Sequence, residues 1–597
     1  MAEEPTPETV APEPTAVSAR AGWWQIVKRS GQELTLREDR LFLLLAVLIG
    51  IFAGLAVVCF RLAIEGVRLW LLRSEEAPPV IRLLLVPCLT GLVVGILVKR
   101  FFPRVRGSGV NQTKTAVYVS NGYIPFQTVW GKFLCSAIVI GGGHSLGPED
   151  PSLQMGAGIA SIIGRKLRLS RDHLRLIAPV GAAAGLAAAF NSPIAAVIFV
   201  IEEIVGKWSS GILGAVVLSA VSAVVVMRGF LGAEPLFHIP SFRLAHPAEL
   251  LGYAVLGVIG GLFSLLFVKL VAALRMWLRK WPDWTQYIQP AIAGLLVGVL
   301  GLWLPQVLGA GYDVMDQTMH GRYLWQFMAI LAIAKVVATC FSFSSGAPGG
   351  MFAPTLFIGA MVGGSIGGLE HHFFPALTGS VGAYALVGMG TLFAGFLRVP
   401  MTSVFMVLEV SGNYSIILPV MISNTIAYLI SLKYQPVPLF DLLSKQDGMD
   451  LPSLEEVREE EPLRVENAMR SPGVPPLRGD RTVTQTLAEL EKVQQEWLML
   501  YEKNSGWHVV RRAELLEKIA SAPGNSKLAE VFPRQWVPTV HPDNSLDLPL
   551  RRIGDLPFLP VVHRANSERL VGIISREDIL RAYTKLGEEE LEVASPS

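Results

Sequence analysis

The 597 residues are 51% hydrophobic and only 17% charged, and a mean hydropathy of +0.45 excludes both a disordered chain and an ordinary water-soluble enzyme. A formal net charge of +2 gives no excess of cations for phosphate attraction, so no nucleic-acid partner is expected. Residues 441–597 hold 47 of the 100 Asp, Glu, Lys and Arg, which divides the chain into a membrane body and a soluble tail.

In chain order, residues 1–39 read as a cytoplasmic N-terminal segment, disordered or amphipathic, with Pro, Glu, Ala and Thr crowding residues 1–20. No secretory signal is seen before the first long apolar run, which starts near Leu41. Lys28, Arg29, Arg37 and Arg40 flank that run and, by the positive-inside rule, place the N-terminus in the cytoplasm. Apolar segments follow at 41–60, 83–98, 127–142, 176–201, 211–232, 249–274, 288–305, 324–341, 379–397 and 401–433. Several are too short for a full span, and many are interrupted by Gly and Pro. Such interruptions are expected where broken helices line a polar pathway inside the membrane.

The body repeats itself. "PSLQMGAGIASIIG" from Pro151 aligns with "PTLFIGAMVGGSIG" from Pro354 at an offset of 203. "GAAAGLAAAFNSPIAAVIFVIEE" (181–203) aligns with "GMGTLFAGFLRVPMTSVFMVLEV" (388–410) at 207, pairing Pro193 with Pro400 and Glu202 with Glu409. Two landmarks in one order at nearly one offset predict two related halves, 40–235 and 236–440. The first offset sets Glu149 opposite Phe352, so "GPEDP" corresponds to "GGMFAP". Each would open a helix from a flexible turn, and two such N-termini facing one another make an anion site without a full positive charge.

The tail reads as an acidic linker (441–461), two loosely similar helix–β–helix blocks (462–585) and an acidic end (586–597). Cys59, Cys88, Cys135 and Cys340 sit in apolar segments and are expected to pack there. No metal site is expected: His144, His371 and His372 show no ligand pattern, and "EHH" at 370–372 reads as a loop face. Lys132, a single cation in an apolar stretch, either raises the potential along a pathway or snorkels to the interface.

These motifs resemble the CLC family of chloride channels and chloride/proton exchangers, and the tail resembles a pair of CBS domains. The resemblance rests on "GSGV" (107–110), "GPEDP" (147–151), "GAAAGLAAAFNSP" (181–193) with "EE" at 202–203, and "GGMFAP" (349–354), in family order. It implies an all-helical polytopic membrane body of two inverted repeats of tilted and broken helices. It also implies a homodimer in the lipid bilayer, with one ion pathway per subunit and an α/β CBS pair in the cytoplasm. The function it implies is chloride transport without enzymatic chemistry, most simply Cl⁻/H⁺ antiport. A passive chloride channel of the same fold is the alternative.

The family roles carry over residue by residue. Glu149 is the gating carboxylate, which competes with chloride when ionised and carries H⁺ when protonated. Glu203 is the internal proton-transfer residue and favours exchange over conduction, whereas Glu202 is expected to be structural. Ser108, Gly109, Met351, Phe352 and Phe440 are the anion ligands, and the retained Ser108 points to chloride or a similar anion. The chain also departs from the family pattern. Asn111 stands where Pro is usual. Pro148 and Asp150 flank Glu149 in place of a basic residue and Gly, and a carboxylate at Asp150 is expected to shift gating toward higher pH. Phe440 replaces a Tyr whose hydroxyl normally donates to the central anion, which predicts weaker binding there. No cofactor is required, although "GIISREDI" (572–579) resembles the CBS nucleotide turn, with Ser575 and Asp578 as candidate contacts to an adenine nucleotide.

Overall fold

The computed structural model describes residues 16–584 except 73–79, 170, 207–209, 234–236, 238–245, 450–462, 492, 504–505, 532–536 and 564–565, with side chains described from Leu41. The chain forms two compact units, Met1–Val457 and Arg458–Ser597.

The body is all helix. Its first half comprises α1 (Ala16–Leu72), α2 (Val80–Arg100), α3 (Gly109–Tyr118), α4 (Phe126–Gly141), α5 (Glu149–Lys166), α6 (Arg171–Phe190), α7 (Pro193–Phe199) and α8 (Ser210–Leu231). The second half repeats them in order: α9 (Glu249–Arg279), α10 (Gln289–Trp303), α11 (Tyr312–Met319), α12 (Trp325–Ser344), α13 (Phe352–Phe373), α14 (Val381–Leu397), α15 (Pro400–Ser411) and α16 (Ile417–Tyr434). A short helix, α17 (Leu439–Gln446), is the last of the body among the described residues. It takes up the start of the expected linker, whose remainder from 450 lies outside the described residues, as do 1–15 and 585–597. Ala16–Arg20 form the first turn of α1. Eight helices among the described residues are long and apolar enough to cross a membrane.

The packing carries the same repeat. α1 packs on α8 as α9 packs on α16, and α5 on α6 as α13 on α14. Gly156 and Gly181 let α5 and α6 touch backbone to backbone, since a Cβ on either would strike the other's carbonyl oxygen; Gly359 and Gly388 do the same for α13 and α14. Several contacts between the halves are reciprocal. Gly147 and Gly350 exchange both backbone hydrogen bonds at 2.8 Å. The Glu202 carboxylate accepts from the Met401 and Thr402 amides (3.3 and 2.9 Å) at the start of α15, and Glu409 accepts from Ile194 and Ala195 (3.0 and 2.8 Å) at the start of α7. Contacts in which residue i meets j while the counterpart of j meets the counterpart of i arise only about a two-fold axis.

The structure breaks two segments that the hydropathy pattern joins. Residues 176–201 split at Asn191 (φ 55°) and 401–433 at Gly412 (φ 61°). Arg398, the repeat counterpart of Asn191, is also left-handed (φ 62°), and each lies two residues before a proline that opens the next helix. Residues 370–372 are the last turn of α13 rather than a loop, and His371 Nδ1 lies 3.0 Å from Thr378 Oγ1.

In the tail unit, β1 (Leu477–Arg478), β2 (Trp497–Glu502) and β3 (Gly506–Arg511) form one sheet in that order, and β4 (Leu559–His563) pairs antiparallel with β5 (Asn566–Ile574) in another. Each sheet has its own apolar core, and Met499 and Trp507 of the first block pack against Phe558, Val562 and Ile573 of the second.

Candidate anion and proton site

The Gly147–Gly350 exchange sets the N-termini of α5 and α13 against each other, so Glu149 and Phe352 begin opposed helices as the repeat predicts. Both are completely buried. The positive ends of two helix dipoles converge here, which suits an anion, and the Ala353 amide at the start of α13 faces the Glu149 carboxylate.

Glu149 Oε1 accepts a hydrogen bond from the Tyr312 hydroxyl. Tyr312 opens α11 from the loop "GAGY" (309–312), which repeats "GSGV" at an offset of 202. A cavity of about 660 Å³, lined by Arg61, Arg68, Gly143, Pro148, Gly311 and Tyr312 among others, ends at this contact. Glu149 thus stands behind one phenol at the base of a vestibule that carries Arg61 and Arg68 together with Glu65 and Asp313, both carboxylates within 3.6 Å of Arg68.

Ser108 caps α3, its hydroxyl accepting from the Val110 amide at 3.1 Å. The same hydroxyl donates to Asp150 Oδ2 at 3.0 Å, and the amides of Val110 and Met351 face that carboxylate. Asp150 is therefore turned to Ser108, while Glu149 is turned to Tyr312. Gly109 lies against the Asp150 backbone, where a Cβ would strike the carbonyl oxygen. Lys132 is fully buried, so it does not snorkel. Its ammonium donates to the carbonyls of Val105 (3.1 Å) and Gly107 (2.6 Å), fixing the turn before Ser108. Nor is it single: Lys335 on α12 binds the Val307 (2.9 Å) and Gly309 (2.7 Å) carbonyls in the second half.

Phe352 sits among aromatic rings, with Phe199 at 5.1 Å, Phe393 at 5.4 Å and Phe440 edge-on at 6.3 Å between centroids. Phe440 on α17 thus reaches the site although it is far away in sequence.

Glu203 is also buried. It lies in a π-helical turn, Val200–Val205, that ends at Gly206 (φ 75°). Glu202 points from this turn to cap α15, whereas Glu203 Oε1 meets Lys114 Nζ at 3.1 Å. Lys114 also pairs with Asp441 Oδ1 at 2.6 Å. Two carboxylates thus share one ammonium in a buried cluster, which can accept one proton and become neutral without losing the lysine. No hydrogen bond or ion pair joins Glu149 and Glu203 among the described residues.

Sequence reasoning missed Tyr312, Lys114 and Asp441. The "GAGY" repeat was the available signal for Tyr312, and Asp441 follows Phe440 directly. In the tail, Asp578 Oδ2 accepts from the Ser575 amide (2.9 Å) and hydroxyl (2.6 Å) and pairs with Arg470 Nε at 3.1 Å, so that oxygen caps the final helix. A cavity of about 600 Å³ borders Ser575, Arg470 and Phe558.

Comparison with known proteins agrees with this geometry. The family model described as voltage gated chloride channel matches residues 90–432, and the CBS domain model matches residues 537–585. The putative chloride channel protein ClcB-like of Ralstonia nicotianae is 33% identical over 398 residues, covering 65% of this chain and 92% of that protein. The H(+)/Cl(-) exchange transporter ClcA of Vibrio campbellii is 32% identical over 414 residues, covering 67% and 88%. The solved structure of a slow cyanobacterial Cl⁻/H⁺ antiporter superposes with a TM-score of 0.63 at 23% identity, over 68% of this chain and 97% of that one. A eukaryotic CLC transporter superposes at 0.60 with 22% identity, over 90% and 97%. With a family model spanning more than half its length and relatives matched over nearly theirs, this multi-pass membrane chain belongs to the voltage gated chloride channel (CLC) family and ends in a CBS domain.

Proposed function

We propose that the protein exchanges chloride for protons across a membrane, with Glu149 as the group that both ions use. One observation carries this reading above all: a buried carboxylate at two opposed helix N-termini, with the Tyr312 hydroxyl between it and an open vestibule. Ionised, Glu149 occupies a place suited to an anion; protonated, it has no charge to hold it there, so chloride can enter. The Glu203–Lys114–Asp441 cluster takes up the proton from the other side. A buried cluster with one carboxylate in excess of its cation suits an exchanger better than a passive channel, which needs no proton site. Relatives named as exchange transporters support the same reading.

We further infer that the chain works as a homodimer in the lipid bilayer with both termini in the cytoplasm, from its basic N-terminal flank and the family resemblance. The vestibule beside Arg61 and Arg68, near the far end of α1, would then open outside. The tail is read as regulatory, and an adenine nucleotide at the cavity beside Ser575 would have to share Asp578 with its capping role.

The test is flux in liposomes. Under a chloride gradient the wild type should drive protons uphill. Glu149→Ala should pass chloride without proton coupling, and Glu203→Ala should lose proton movement but keep chloride flux. Chloride flux without proton movement in the wild type would overturn exchange in favour of the passive channel.

A further inference from the structure

The two neighbouring carboxylates at the start of α5 have different partners. The loop of the first half supplies Ser108 to Asp150, and the equivalent loop of the second half supplies Tyr312 to Glu149. Among the expected anion ligands, Ser108 alone has a side-chain hydroxyl, because position 440 is Phe. That hydroxyl is already given to Asp150 Oδ2 at 3.0 Å, with the Met351 amide facing the same carboxylate. Asp150 is completely buried, and a Cβ on Gly350 would lie 2.6 Å from its own Cβ, so the carboxylate is wedged between the opposed helix ends.

We propose that Asp150 is the resident anion of the Ser108 position, and that chloride binds there only when a proton has neutralised that carboxylate. The charges argue for it. The titratable groups that face Asp150 are Lys132 on α4 and Glu149 on its own helix. Asp150 and Lys132 together are neutral. Chloride added beside Ser108 leaves a buried negative charge uncompensated, next to a second carboxylate at Glu149. A proton on Asp150 removes that excess, weakens the hold of Ser108 on Oδ2 and frees its hydroxyl for the halide. The proton settles on Oδ1, which has no hydrogen-bond partner. The pathway then contains two protonatable plugs in series, one per half-loop. This inference rests on the exchange reading only in taking the Ser108 position as chloride's.

The experiment is chloride titration calorimetry on the purified full-length protein at neutral and at acid pH. Wild type should bind chloride more tightly at acid pH. Asp150→Gly should bind it about tenfold more tightly than wild type at neutral pH, with the gap closing at acid pH. Asp150→Asn keeps the volume without the charge and should bind chloride more tightly than wild type at neutral pH with a weaker pH dependence, the remainder being that of Glu149, so it carries the test if the glycine variant does not fold. Crystals soaked in bromide should show anomalous density beside Ser108 in Asp150→Gly and none in wild type at neutral pH. Equal affinities at neutral pH, an unchanged pH profile in Asp150→Asn, or bromide beside Ser108 in the wild type at neutral pH each overturn the proposal. Chloride flux without proton movement in wild-type liposomes would instead undermine the exchange reading and leave this binding result standing.

Discussion

The Tyr312 hydroxyl donates to the Glu149 carboxylate, and under the exchange proposal this is the contact on which gating turns. A hydrogen bond to a charged group contributes roughly 1.5–3 kcal/mol, and here it holds the carboxylate in the place an anion would take. Tyr312→Phe keeps the ring packed against Phe237, whose centroid is 6.2 Å away, and removes only the donor. Glu149 is then held less firmly, and chloride flux at neutral pH should rise about tenfold, read as chloride efflux from liposomes. Unchanged flux would mean that Tyr312 is merely packing. The residue was hidden in the sequence because aromatic side chains are common in membrane helices; its role depends on a loop that only the repeat identifies. Lys114 and Asp441 were hidden for another reason. They lie far apart in sequence, and nothing local says that a lysine on α3 and an aspartate on α17 meet at 2.6 Å around Glu203.

Between elements, the two halves fasten each other by exchanging caps. The start of α15 takes its carboxylate from Glu202 and the start of α7 takes its own from Glu409. The alignment of Glu202 with Glu409 was legible as a repeat, but not as a reciprocal bond, since alignment says which residues are equivalent and not which ones touch. Both helices begin with proline, and neither has a capping side chain of its own at the residue before it. Loss of a cap costs about 0.5–2 kcal/mol. Glu202→Ala and Glu409→Ala should therefore lower the thermal midpoint by similar amounts, measured by tryptophan fluorescence. A drop confined to one variant would refute their equivalence. Hydropathy also mislaid helix ends for a physical reason. A span reads as apolar whether or not it is broken, and the breaks at Asn191 and Gly412 come from left-handed backbone angles that hydropathy does not register. Arg398, the counterpart of Asn191, is buried in the body, its side chain held by the Ser431 and Pro436 carbonyls at 2.9 and 3.0 Å. α5 and α13, the helices that carry the site, escaped the apolar scan altogether. The buried face of α5 includes Glu149, Asp150, Ser152 and Gln154, and such a helix is found by its repeat rather than by its hydropathy.

At the scale of the whole chain, the division at Val457 separates the membrane unit from the tail unit. Every residue placed at the anion site or the proton cluster lies before it, but only just: Phe440 and Asp441 sit on α17, the last helix of the body. α17 packs on α3, α9 and α14 and belongs with the membrane unit, although its sequence has the charge density of a tail. This fixes where the chain can be cut. A protein ending at Val457 retains the opposed helix ends, the Tyr312 contact and the Lys114 cluster, so it should exchange chloride for protons in liposomes. One ending at Pro438 loses Phe440 from beside Phe352 and leaves Lys114 with Glu203 alone. A buried carboxylate and ammonium in a one-to-one pair have no excess charge for a proton to neutralise, and protonating Glu203 then leaves the ammonium unpaired. Proton movement should fall in that shorter protein even if some chloride still passes. Restoring residues 439–446 should recover coupling without any part of the tail. Exchange that survives the cut at Pro438 would show that the proton needs neither Asp441 nor the cluster built around it.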